Sequence, residues 1–314
     1  ARRGKIPEPF WIVLTAVDGI GNQMFQYSSA LGMMLSNAGS QVGKTRQLRL
    51  CHHIRPDMSH QFLLPEAFVG PFTGPCPEGV AGPTCGPDCE HAHWEDGFAT
   101  YTPLDLDGND GAGTPYSQRP GAFVGRYLQS PKYFEGMEDT LREIFKFNED
   151  IEPSGRVASG VEIVGIHAKS GDVLGYKDVP LPPDEYFERA MSYFEEEGRK
   201  RQVEVEFLLL PAKLEDETAL RKFKSFVSRS NVHLARAGDE HDAGGGGGTA
   251  QDLKLMAMCD HIITTMGAFG WWAGWLAGGS VVYYRDLYGQ IGKGGKNQVI
   301  PENHWPASWI GFGE

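Results

Sequence analysis

From Val161 to Tyr284 short apolar runs alternate with amphipathic stretches, and this alternation constrains the fold more than any other feature of the chain. Val161–Ile166, Val203–Leu210, Asn231–Ala235, His261–Thr265 and Ser280–Tyr284 read as strands. Helices are expected between them. Asp184–Glu197 reads as a capped helix with Tyr186, Phe187, Ala190, Met191 and Phe194 on one face, and Leu214–Val227 and Gln251–Cys259 follow. Ala268–Ala277 is apolar on every side and is stopped by Gly278-Gly279, which suits a buried helix. Repeated strand–helix alternation requires parallel strands, because each helix carries the chain back to the starting edge. The second half is therefore expected to be a helix-covered parallel sheet.

The first half opens the same way and then loses its pattern. Phe10–Val17 reads as a strand, Asp18-Gly19-Ile20-Gly21-Asn22 as a tight turn, and Gln23–Ser36 as a helix. From about residue 55 to 121 Pro, Gly, His and Cys are frequent and periodicity is poor, so an irregular, acceptor-side insertion is expected. With 314 residues the chain is long enough for two lobes, placed here at 1–155 and 156–314. A formal net charge of -12 disfavours nucleic acid as a partner, although a few local cations and backbone N–H groups suffice for one diphosphate. No apolar run approaches the roughly 20 residues needed to cross a bilayer. The chain begins with Ala1, as expected of one from which a signal or membrane anchor has been removed.

Five cysteines, Cys51, Cys76, Cys85, Cys89 and Cys259, permit at most two internal disulfides. The spacing of Cys76 and Cys85 does not make a zinc knuckle, even with His91 and His93 nearby, and a disulfide-tied surface loop is expected instead. Asp105-Leu-Asp107 has the form of a metal-binding D-x-D but sits in the loop-rich region, and the calcium-loop pattern fails at Asp110 and Tyr116. The five glycines Gly244–Gly248 are read as a flexible loop, with a mobile lid as the alternative.

Three segments carry residues suited to chemistry. In Gly19-x-Gly21-Asn22-Gln23 the glycines let backbone approach a ligand, the following helix offers N–H groups to an anion, and two amides can grip hydroxyls or phosphate oxygens. The third glycine and the downstream acid of a nicotinamide site are missing. In His167-Ala-Lys169-Ser-Gly-Asp172 an imidazole, a cation and a carboxylate follow a strand, where ligands of open α/β sheets bind; a salt-bridged strand end is the other reading. Thr265 and Gly267, with Ala268 and Phe269, lie between a strand and a helix, a position suited to phosphate. Thr249 and Asp252 have the spacing of a helix cap and need no ligand.

Taken in order, Gly19-Ile-Gly21-Asn22-Gln23-Met-Phe-Gln-Tyr27, Gly125-Arg-Tyr-Leu-Gln129-Ser-Pro-Lys132-Tyr-Phe134, His167–Asp172, and Asp252 through Leu276 with Gly278-Gly279 span nearly the whole chain. This set resembles the α-1,2-fucosyltransferases of glycosyltransferase family eleven. The resemblance implies an α/β fold of two facing Rossmann-like domains, GT-B-like, each a parallel sheet with helices on both faces. It implies inverting, metal-independent transfer of fucose from GDP-fucose, held mainly by the C-terminal lobe, to the 2-hydroxyl of a terminal galactose. A Golgi membrane location through an N-terminal anchor outside this chain is implied as well.

In that family the His167–Asp172 segment usually reads His-Val-Arg-Arg-Gly-Asp-Tyr, so Lys169 stands where the first arginine engages the donor diphosphate, and Ser170 replaces the second. The expected catalytic set is His167, Lys169 and Asp172. The expected donor-binding set is Gly19, Gly21, Asn22, Gln23, Lys169, Thr265, Gly267, Ala268 and Phe269. Lys169, the N–H groups of Gly267 and Ala268, and the Asn22 amide would meet the charge that develops on the β-phosphate. Asp172 would take the acceptor proton, or instead fix Lys169 or bind the fucose. Two other readings stay open: a non-catalytic nucleotide-sugar or glycan-binding relative, and a fucosyltransferase with another acceptor.

Overall fold

The computed structural model describes residues 8–15, 18–53, 62–78, 80, 92–94, 99, 101–125, 128–152, 160–168, 171–173, 176–179, 182–211, 226–235, 250–286 and 301–313. Packing divides the chain into two compact units that are each discontinuous in sequence. The first comprises 1–17, 22–146 and 294–305, and the second 18–21, 147–293 and 306–314.

The first unit is built on a parallel sheet in the order β2-β1-β4-β3. Its strands are β1 (Phe10–Thr15), β2 (Leu48–His53), β3 (Ala92–Trp94) and β4 (Gly121–Gly125). Phe10, Ile12, Val13 and Leu14 are all fully buried, as a central parallel strand covered on both faces requires. Helix α1 (Ile20–Ser36) follows, then α2 (Gln41–Thr45), α3 (Leu64–Ala67) and α4 (Glu138–Ile144). The expected irregular insertion thus supplies an edge strand, β3. It is also tied down: Cys51 of β2 is disulfide-bonded to Cys76, with Cα atoms 4.9 Å apart, while His52 N–H donates to Gly74 O and Cys76 N–H to His52 O. Cys85 and Cys89 lie outside the described residues.

The second unit carries the expected parallel sheet in the order β12-β11-β10-β5-β8-β9. Its strands are β5 (Glu162–Ala168), β8 (Val205–Pro211), β9 (Val232–Leu234), β10 (His261–Thr264), β11 (Val281–Tyr284) and β12 (Ile310–Phe312). A small antiparallel hairpin, β6 (Gly171–Val173) and β7 (Tyr176–Val179), leaves β5. The helices are α5 (Asp184–Arg201), α6 (Ala250–Ala257) and α7 (Ala268–Ala277).

Helix α5 buries the expected face, Tyr186, Phe187, Ala190, Met191 and Phe194, against Val164, Ile166, Phe207 and Leu209 of the sheet. Its start differs in detail from the expected cap. Pro183 stands at the cap position without a side-chain bond, and Asp184 is helical, where with Glu185 it complements the positive helix end. Most of the expected helix at 214–227, the glycine run 244–248, and Thr249 lie outside the described residues.

Helix α7 is core, as its all-round apolar sequence requires: Trp271 and Trp272 are fully buried and meet edge to face at 5.0 Å. Strand β12 was not expected. It is three residues long and carries no alternation to read; Trp309, just before it, packs on Trp271. The first unit also holds a short helix α8 (Pro301–His304) and two 3-10 turns, Tyr116–Gln118 and Pro131–Phe134.

Candidate functional site

In the second unit β5, first in sequence, lies between β8 and β10: the chain builds outward to β9, then crosses back to β10 and builds the other way. The carboxyl ends of β5 and β10 therefore diverge to opposite sides of the sheet, leaving the crevice in which open α/β sheets hold ligands. His167 and Thr264 are register partners at that point. Thr265 follows, and Gly267 caps α7 with no side-chain hydrogen bond. The first N–H groups of α7, from Ala268 and Phe269 onward, have no intrahelical acceptor, so an uncapped, positive helix end lies at the switch.

These residues are packed closely. The His167 ring lies 5.1 Å from that of Phe269, and both side chains are buried. Gly270, one turn into α7, permits the approach: a Cβ there would stand 2.2 Å from Thr264 Oγ1 and 2.6 Å from His167 Nδ1. Thr264 is fully buried, and its Oγ1 has no hydrogen-bond partner among the described residues. Tyr186 Oη donates to Thr264 O at 2.6 Å, at the carboxyl end of β10, and contacts Val282 O of the neighbouring β11 at 3.3 Å. Burial pushes the Tyr186 phenol well above its usual pKa, so it stays a donor.

The glycine turn belongs to the same cluster, but in another way than its spacing suggests. Helix α1 begins at Ile20 rather than Gln23, so Gly21 and Asn22 are helical, and the left-handed backbone falls on Asp18 (φ 64°). Gly21 is needed for approach: a Cβ there would stand 2.6 Å from Phe269 N. Residues 18–21 pack with the second unit, while Asn22 and Gln23 belong to the first. Asn22 Oδ1 accepts from Gln129 Nε2 at 2.7 Å. Gln23 is buried and its Oε1 accepts from Leu63 N–H at 2.8 Å, so it serves the backbone of its own unit.

Of the other expected residues, Lys169 and its neighbour Ser170 lie outside the described residues, and Asp172 falls in β6. The structure thus brings together Gly21, His167, Thr265, Gly267, Ala268 and Phe269 in one unit. Gly19 precedes the same turn. Sequence reasoning missed Thr264 and Tyr186, whose roles depend on which strand ends become neighbours. It also gave no role to Gln129 or His304, which meet only in the folded chain.

The Asp105–Asp110 stretch is occupied locally. Asp107 Oδ1 accepts from Gln41 N–H, Asp105 Oδ1 from Asp107 N–H, and Asp110 from the N–H groups of Ala112 and Thr114 and from Arg119. Burial would raise the Asp110 pKa, but these hydrogen bonds and the Arg119 charge hold it below the usual value. Among the described residues, no group of three or more acids, histidines or cysteines is placed to hold a metal.

The model of glycosyl transferase family 11 matches residues 105–287, more than half of the chain. The chain belongs to glycosyl transferase family 11. Among curated relatives, family 11 resemblance is seen with galactoside alpha-(1,2)-fucosyltransferase 1 of Bos taurus, 24% identical over 286 residues, covering 85% of this chain and 66% of the relative. Galactoside 2-alpha-L-fucosyltransferase SEC1 of Bos taurus is 31% identical over 156 residues, 48% of this chain and 38% of the relative. The chain thus spans less than two thirds of the length of these relatives.

Among solved structures, a mutant of Arabidopsis thaliana FUT1 in complex with GDP aligns at 14% identity with a TM-score of 0.48, covering 88% of this chain and 71% of that one. The fucosyltransferase NodZ from Bradyrhizobium aligns at 15% identity with a TM-score of 0.46, covering 85% and 93%. No helix among the described residues of this family 11 chain is long and apolar enough to cross a membrane.

Proposed function

We propose that the chain transfers L-fucose from GDP-fucose to the 2-hydroxyl of a terminal galactose on a glycan, with inversion at the anomeric carbon. The observation that carries the reading is the convergence of His167, Thr265 and the uncapped amino end of α7 at the β5/β10 switch of a family 11 chain. The names of the curated relatives supply the acceptor and linkage.

In the reaction the galactose 2-hydroxyl oxygen bonds to fucose C1 as the bond from C1 to the β-phosphate oxygen breaks, and GDP leaves. Negative charge grows on the β-phosphate. The N–H groups at Gly267 and Ala268 offer fixed donors for it, and Lys169 adds a full positive charge. The acceptor proton passes to a carboxylate, for which Asp172 is our candidate. His167, packed on Phe269, shapes the wall of the crevice and holds the first turn of α7 in register. The charge stabilisation rests on these groups, with no divalent metal. We also propose a Golgi luminal setting, as part of a membrane-anchored protein.

The test is transfer of labelled fucose from GDP-fucose to a panel of β-galactosides, followed by linkage analysis. An α-1,2 product is expected. Product of another linkage would overturn the acceptor assignment, and absence of transfer with GDP still bound would favour a binding protein.

A further inference from the structure

At the amino end of the second unit's sheet, opposite Thr264 and Thr265, several elements meet on one imidazole. His261 is the first residue of β10, its side chain is 14% exposed, and its ring stacks on Phe194 of α5 with centroids 5.1 Å apart. Ser280, just before β11, donates its N–H to His261 Nδ1 at 3.0 Å. Nδ1 is thus the accepting nitrogen, and the neutral ring carries its hydrogen on Nε2. That side of the ring faces Glu162 Oε2, at the start of β5, at 3.6 Å.

The surroundings oppose a second proton. Arg201, in the last turn of α5, bonds the same Glu162 oxygen, so this carboxylate already has its cation. Asp260, the preceding residue, accepts the Ile163 N–H on Oδ2 at 2.8 Å. From the β11 side the ring meets backbone at close range: a Cβ on Gly279 would stand 2.7 Å from His261 Nδ1 and 1.8 Å from Asp260 O. Burial lowers the His261 pKa from 6.5, with the Arg201 charge acting in the same sense and Glu162 and Asp260 against it. A proton taken up must go to Nδ1, where it points at the Ser280 N–H. Turning the ring over gives no relief, because both nitrogens of the cation are donors. The charged ring and the Ser280 bond therefore exclude each other.

We propose that His261 is an acid-sensitive latch of the second unit: the neutral ring fastens the residues that lead into β11 onto β10, and a proton on Nδ1 releases them. It takes no part in the proposed transfer reaction. Released, the ring titrates near 6.5, and latched it titrates lower. The latch is thus fully held above pH 6.5 and weakens as the pH falls below it.

Hydrogen exchange of the Ser280 amide in the full chain tests this, expressed as protection relative to a free peptide at the same pH, for the parent and His261→Asn. Asparagine can place Oδ1 where Nδ1 stands and does not titrate. In the parent, protection of Ser280 should fall by up to about tenfold for each pH unit below 6.5. The Phe207 amide, bonded to Asn231 O elsewhere in the same unit, should keep its protection, and in His261→Asn so should Ser280. Constant Ser280 protection in the parent, an equal fall in the variant, or an equal fall at Phe207 overturns the proposal. Should His261→Asn fail to fold, the ring nitrogen signals of His261 in histidine-labelled parent decide. They must show hydrogen on Nε2 at neutral pH, and the Ser280 amide signal must move over the pH range in which the ring becomes charged; an amide that stays still while the ring titrates overturns the latch.

Discussion

Acid should weaken this protein through one buried imidazole in its first unit. His304 is fully buried, its ring stacks at 6.0 Å on that of Phe25, and its Nδ1–H donates to Gln129 O. Burial lowers its pKa from 6.5 to about 4, with the Gln129 hydrogen bond offsetting only part of the shift. The folded state therefore takes up this proton less readily than the unfolded chain. The stabilisation is fully present above the unfolded value of 6.5, declines as the pH falls, and is gone below about 4. A gap of about 2.5 in pKa, at about 1.4 kcal/mol each, corresponds to ~3 kcal/mol, of which ~2 kcal/mol is lost by about pH 5.

Asp110 is held below its usual pKa and adds its own loss in the lower part of that window, so a comparison is needed. His304→Asn keeps a donor for Gln129 O and cannot titrate. Urea unfolding of parent and variant over a series of pH values should give two curves that converge by ~3 kcal/mol between about pH 7 and about pH 4. Parallel curves would refute the reasoning, because they would mean that His304 takes up its proton equally well in both states.

Gly270→Ala should cost about 1–3 kcal/mol and weaken nucleotide binding, since its Cβ would press on Thr264 Oγ1 and His167; a melting curve and GDP titration check both. Lys169→Ala should lower turnover about a hundredfold with little change in melting, whereas Lys169→Arg should keep or raise activity, read from initial rates of fucose transfer. Chelation by EDTA should leave the rate unchanged, because the charge on the leaving GDP is met by N–H groups and a cation; activity lost to EDTA and restored by magnesium or manganese would contradict that electrostatics.

The parallel sheet of the second unit was legible nearly strand by strand, because its central strands β5, β8, β10 and β11 are largely apolar and its helix α5 has a clear apolar face. What it missed follows from local signal. Strand β12 has three residues and no period, and β3 is an equally short edge strand inside a loop-rich stretch. The positions of His167 at a strand end and of Gly267 before an apolar helix were legible, because the elements beside them have a clear pattern. The purpose of Gly21 was not, because spacing cannot distinguish a glycine that turns the chain from one that lets Phe269 come near. Gln23 looked like a ligand group and serves the backbone of Leu63, a partner 40 residues away that no local pattern announces. Gln129 and His304 are 175 residues apart, and their bond belongs to tertiary structure alone.

That separation bears on how the chain is made. The first unit takes its last piece, residues 294–305, from beyond the second unit's long segment 147–293. A ribosome adding about 5–20 residues each second delivers the first 146 residues many seconds before that piece. Throughout this interval Gln129 O lacks its imidazole donor and Phe25 its stacking partner, so the early segment waits with part of its core open. Domains of most proteins fold as they emerge, in order. Here the first unit closes only after His304 has emerged, and a nascent chain stalled before His304 should be cut by protease at sites that are protected once it is present.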